Sequence, residues 1–111
     1  MESRDFTQFK ATKGFLEPTI ATKVSPNATY IFLSGVLGFN PENNTLPESI
    51  NDQAAQTFKN IDNILRLSGS SFQSVIKIIV FITDMAYLDV VNKEYEKWIS
   101  KDNIPVRTTL A

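Results

Sequence analysis

Apolar residues recur along this chain in distinct rhythms, and each rhythm predicts an element. Between Glu48 and Ser68, the residues Ile50, Ala54, Phe58, Ile61 and Leu65 return at three- and four-residue steps, the spacing of one face of an α-helix. Gln53, Gln56, Lys59 and Asp62 fall largely on the other side, and Gly69 stands where a glycine closing a helix belongs. A second helix is predicted from about Tyr87 to Ser100, with Leu88, Val91, Tyr95 and Trp98 on one stripe. Asp84 precedes it and reads as its cap rather than as an acid or base. The run from Val75 to Thr83 is different. Val75, Ile76, Ile78, Ile79, Val80, Phe81 and Ile82 are apolar almost without alternation, which predicts a strand buried on both faces. Helices would cover one face, and in a small domain the other is usually covered by another subunit.

The N-terminal half reads as strands. Residues 5–12 form a first strand anchored by Phe6 and Phe9, and Gly14 and Pro18 bracket a turn. Ile20, Thr22 and Val24 alternate as a half-buried strand does. Pro26-Asn27 is a tight turn, and Tyr30-Ile31-Phe32-Leu33 is a short apolar strand ending at Ser34-Gly35, so a hairpin is predicted. Gly38 to Pro47 is loop. After α-helical spacing ends, Pro105 blocks any continuation, and Val106 to Leu110 starts a further strand. The order β-β-α-β-α-β predicts an α+β architecture, a sheet with two helices packed on one face.

Composition narrows the chemistry. The 111 residues suit one domain, 1–111, and contain neither Cys nor His. Disulfides, thiolate nucleophiles, Ser-His triads, imidazole bases and most zinc sites are thereby excluded. Catalysis is left to carboxylates, hydroxyls, Lys, Arg, backbone groups or water. Net charge is −1, with no basic surplus to favour a nucleic-acid partner. The charged opening MESRDFTQFK lacks the apolar core of a signal peptide, and no apolar run approaches a membrane span, so a cytoplasmic protein is expected. Without a secretion signal, the sequons at Asn27 and Asn43 are taken as coincidental.

Several short stretches carry a resemblance in their order and spacing: Phe32-Leu33-Ser34-Gly35, Ser71-Phe72-x-x-Val75-x-Lys77, Val80-Phe81-Ile82-Thr83-Asp84-Met85, Val91-Asn92-x-x-Tyr95 and Pro105-x-Arg107-Thr108. Together they resemble the Rid (YjgF-like) family of reactive-intermediate deaminases, over about Val24 to Thr109. The resemblance implies a chorismate-mutase-like fold, a mixed β-sheet with two helices on one face. It implies hydrolysis of 2-imino or 2-enamino acids, such as 2-iminobutanoate and 2-iminopropanoate, to 2-keto acids and ammonia. It also implies a homotrimer with sites between subunits and no metal or organic cofactor. An imine is already electrophilic and needs mainly positioning.

Arg107 is the leading site candidate. Its spacing alone reads as a surface or interfacial cation; the resemblance makes it the clamp on the substrate carboxylate, for which a planar guanidinium offers two parallel hydrogen bonds. Ser34 is either a turn hydroxyl or, by the resemblance, part of the pocket lining. Asn92 is either a helix-surface amide or the family's site Asn. Thr109 stands where many active members have Cys, a position whose role there is tied to backbone groups near the imine and water. Active members also carry Gly-Pro-Tyr near the hairpin, with the Tyr hydroxyl facing the ligand. Here the matching stretch is Glu17-Pro18-Thr19-Ile20, with Ile20 nearest the Tyr position, or, after a gap, Gly14-Phe15-Leu16; neither has a Tyr. The family's last strand, which holds a Glu beside the attacking water, is expected beyond Ala111, either cut off or lost. These departures keep a second class of function open: a non-catalytic Rid-like domain that binds small carboxylates or assists folding, or one domain of a larger protein. RNA cleavage, attached to some members, is disfavoured by the net charge and the absence of His.

Overall fold

A computed structural model of the chain describes residues 5–14 and 17–111. The elements are β1 (Phe6–Lys10), β2 (Thr19–Val24), α1 (Ile50–Leu67), β3 (Lys77–Phe81), α2 (Leu88–Trp98) and β4 (Val106–Leu110), with single 3₁₀ turns at Phe72–Ser74 and Met85–Tyr87. The alternative alignment through Phe15-Leu16 lies outside the described residues.

Both helices form where the apolar stripes place them. Ser49 caps α1, its hydroxyl accepting from the Asp52 N–H at 3.1 Å. Asp52 in the first turn and Arg66 in the last complement the helix dipole. Gly69, at φ 80°, takes the left-handed conformation that closes the helix without steric cost. Asp84 caps the 3₁₀ turn leading into α2, its carboxylate accepting from the Ala86 N–H at 2.9 Å. Phe58 and Leu65 of α1 meet Phe72, Tyr95 of α2 and Ile99 in one buried cluster, against which Leu33, Ile78 of β3 and Ile104 pack. Phe58 meets Tyr95 edge-on at 6.2 Å between ring centres.

The sheet is divided. β1 and β2 pair antiparallel, from Phe6↔Val24 to Lys10↔Thr19, with Ile20 the extra residue of a bulge. β3 and β4 pair in parallel, Lys77↔Val106 through Phe81↔Leu110. Among the described residues no ladder joins the two pairs; side chains do. Gln8 Nε2 and Thr19 Oγ1 both donate to the Ile104 carbonyl, at 2.7 and 2.6 Å. This tether holds β1–β2 against the approach to β4.

Two sequence expectations are corrected here. The hairpin joins β1 to β2, and Tyr30–Leu33 forms no strand. That apolar run joins no ladder, and Phe32 is 89% exposed. Downstream, Asn60 of α1 anchors the same segment by donating to the Leu37 and Phe39 carbonyls at 3.0 and 2.8 Å. Secondly, β3 is shorter than the apolar run. Ile78 and Val80 turn toward the helices, while Ile79 and Phe81 point the other way and stay exposed. Among the described residues of the single chain, that second face, expected to meet another subunit, stays uncovered.

Candidate functional site

The site grows out of the junction between the tether and β4. Pro105 is fully buried and Asn103 nearly so, which fixes the chain entering β4. Arg107 then pairs across the ladder with Ile78, on the face that meets the helices. Its guanidinium lies over the Tyr95 ring, 4.7 Å from the centroid, a cation–π contact between β4 and α2. Thr109, two residues along and on the same face of the strand, accepts from Arg107 Nε at 3.0 Å. Strand, helix and hydroxyl together leave the guanidinium little freedom.

Two buried polar atoms at this place have no partner among the described residues: Arg107 Nη2 and the Tyr95 hydroxyl. A third, Thr22 Oγ1, lies on β2. Leaving a buried donor unpaired costs about 1–3 kcal/mol, and more for a charged group, so such atoms are rare away from functional positions. Burial pushes the Tyr95 phenol up to about 12, the Arg107 charge pulling against it and the Glu17 charge adding to it. At neutral pH the phenol is a neutral donor beside a fixed cation. Both orphan groups can donate, and a carboxylate can accept from both.

Of the five residues singled out from the sequence, the structure joins Arg107 and Thr109 by a hydrogen bond. Ser34 is exposed on the unpaired segment, and Ile20 is exposed at the bulge. Asn92 is half-buried on α2, three residues before Tyr95. None of these three bonds to Arg107 or Thr109 within the chain. Tyr95 was missed as a site residue, because it also fits the apolar stripe of α2. The available signal was a hydroxyl at a core position.

Elsewhere, an open depression of about 330 Å³ lies between the ends of α1 and α2, beside Arg66, Lys97 and Trp98. Its cations are already paired, Arg66 with Asp62 at 2.9 Å and Lys97 with Glu94 at 3.1 Å. Among the described residues no cluster of three or more acidic groups stands ready for a metal, and no helix is long and apolar enough to cross a membrane.

A family model described as Endoribonuclease L-PSP matches residues 18–111. The chain belongs to the Rid (YjgF/RidA/RutC) family. Rid relatives include Reactive Intermediate Deaminase A, chloroplastic, of Arabidopsis thaliana, 40% identical over 80 residues, 71% of this chain and 42% of that protein. A RutC family protein of Aquifex aeolicus is 34% identical over 82 residues, 73% of this chain and 66% of that one. The chain thus spans less than two-thirds of these curated Rid proteins' length. Among solved Rid structures, RidA from the Antarctic bacterium Psychrobacter sp. PAMC 21119 aligns with a TM-score of 0.67 and 30% identity, covering 90% of this chain and 76% of its own. E. coli TdcF with bound serine aligns at 0.64 and 26%, covering 70% and 64%. The α+β, chorismate-mutase-like fold expected from the sequence is therefore the fold of this chain.

Proposed function

We propose that this chain acts on 2-imino acids as a Rid-type hydrolase, with Arg107 as the clamp for the substrate carboxylate. The observation that carries the reading is the Arg107 guanidinium, oriented by Thr109 and Tyr95 yet left with Nη2 buried and unpartnered. A relative named as a reactive intermediate deaminase and a neighbour solved with bound serine, itself a carboxylate, support it. With the carboxylate held, water adds to the C=N carbon, a proton passes to nitrogen, and the C–N bond breaks to release ammonia and leave a 2-keto acid. Ser34, Asn92 and Ile20 would line the remainder of a pocket closed by a neighbouring subunit. No cofactor is required, and the cytoplasm is the compartment we favour, although relatives are named chloroplastic and mitochondrial.

The test is ammonia release from 2-iminobutanoate generated in situ by an amino-acid oxidase, alongside calorimetry with pyruvate and 2-ketobutyrate. Arg107→Ala is expected to abolish both turnover and keto-acid binding while leaving the fold intact. Loss of a desolvated, charge-assisted contact should cost about 2–5 kcal/mol. Arg107→Lys should not restore it, because an ammonium lacks the planar fork. Unchanged affinity in Arg107→Ala returns this residue to an ordinary cation.

A second reading, a non-catalytic small-carboxylate-binding domain, is favoured by one observation: Ile20, the residue nearest the family's Tyr position in one of the two alignments, is exposed and has no hydroxyl. Keto-acid binding without ammonia release would establish it. The family description also names an endoribonuclease. For this chain, without His to serve as base, salt-dependent RNA binding and cleavage are expected to be absent.

A further inference from the structure

The sequence supplied no Tyr at the position where active relatives are expected to have one, but the structure holds a different phenol against Arg107. Tyr95 reaches it from α2, not from the N-terminal strands, and only 8% of the residue is exposed. Its ring does two things at once. One edge packs on Phe58 in the core, and one face supports the Arg107 guanidinium. Its hydroxyl does neither. It is buried and donates to nothing among the described residues.

A core position of this kind calls for Phe, which keeps both ring contacts and removes an unpaired polar atom. An unpaired buried hydroxyl opposes folding. The neighbouring orphan, Arg107 Nη2, could donate to the phenol oxygen, which accepts as well as donates, yet no such bond forms and both atoms stay unpaired. Arg107 as a whole is only half-buried. The acceptor that suits both atoms is anionic and has two oxygens.

We propose that Tyr95 is the second half of the carboxylate clamp: its ring orients Arg107, and its hydroxyl donates to one carboxylate oxygen of a small 2-keto or 2-imino acid while Arg107 Nη2 donates to the same group. This rests on the reading of Arg107 given above and extends it to a residue on α2.

Tyr95→Phe separates the roles, because it keeps the ring and removes only the hydroxyl. Three readings are taken on the full chain with pyruvate as the probe: affinity by calorimetry, thermal stability without ligand, and the tyrosine ultraviolet difference spectrum at saturation. Tyr95→Phe should weaken pyruvate binding by about ten-fold, the worth of one hydrogen bond to a charged group. It should leave the unliganded melting temperature unchanged or raised. The parent should show a tyrosine difference spectrum on binding, and the variant should lose it. Parent-like affinity in Tyr95→Phe overturns the inference, and if Arg107→Ala has meanwhile lost binding, the clamp reading of Arg107 stands alone. A lowered melting temperature, or failure to fold, assigns the hydroxyl to folding and overturns the inference as well. A parent that binds no pyruvate overturns both readings together.

Discussion

At the residue scale, Tyr95 illustrates how one side chain can answer to core and site at once. Its stripe position on α2 makes it apolar packing; its hydroxyl makes it chemistry. The same burial gives a pH dependence whose sign is fixed. In the unfolded chain a phenol ionises near 10; in the folded protein Tyr95 holds its proton to about 12, chiefly because burial disfavours the phenolate. The folded state is therefore favoured fully below pH 10, and this contribution is lost as pH rises through 12. Between those limits the parent should lose up to about 1.4 kcal/mol of stability per pH unit beyond what Tyr95→Phe loses. Denaturant titrations of both proteins at several alkaline pH values measure the difference, and the lysines and remaining tyrosines, common to both, cancel. Equal slopes would mean that Tyr95 is not shielded as described.

At the element scale, what the sequence made legible follows from what local patterns can encode. The helices were readable because their apolar stripes and the glycine at Gly69 are local signals. β4 was readable because Pro105 forces an extended chain at its start. The Tyr30–Leu33 strand was misread because an apolar run reports a wish to be buried, not which ladder will accept it. The β1–β2 pairing and the bulge at Ile20 depend on register between distant residues, which periodicity does not carry. The segment after Leu33 is held instead by α1. Asn60 grips its carbonyls, and Gly38 lies so close to α1 that a Cβ there would meet the Gln53 carbonyl oxygen and come within 2.9 Å of Thr57 Oγ1. Gly38→Ala should therefore destabilise the chain by about 1–3 kcal/mol, the usual cost of overpacking. Gly35→Ala, where an added Cβ meets nothing within 4 Å, is the control. A lower urea midpoint at constant slope for Gly38→Ala, with Gly35→Ala near the parent, is the expected result. Equal midpoints would show that the segment lifts from α1 at no cost.

At the scale of the whole molecule, the two faces of β3–β4 differ. The helix side buries Ile78 and carries Arg107, whereas the other side leaves Ile79, Phe81 and Leu110 exposed, with Phe32 bare on the unpaired segment. Such a surface is characteristic of association rather than of a free monomer. This is the physical content of the trimer expected from the sequence, and it makes assembly and binding a joint prediction. Sedimentation at micromolar concentration should give a homotrimer. Phe81→Lys, which places a charge on a face that assembly would desolvate, should shift the species toward monomer. Burying one such side chain is worth about 1.5–3 kcal/mol, and a trimer loses three. If the pocket is closed by a neighbouring subunit, Phe81→Lys should also lose keto-acid binding, although Phe81 points away from the Arg107 face. Helical circular dichroism should persist, because the α1–α2 core does not use Phe81. A parent that sediments as a stable monomer and still binds pyruvate would place the whole carboxylate site within one chain and remove the need for a partner.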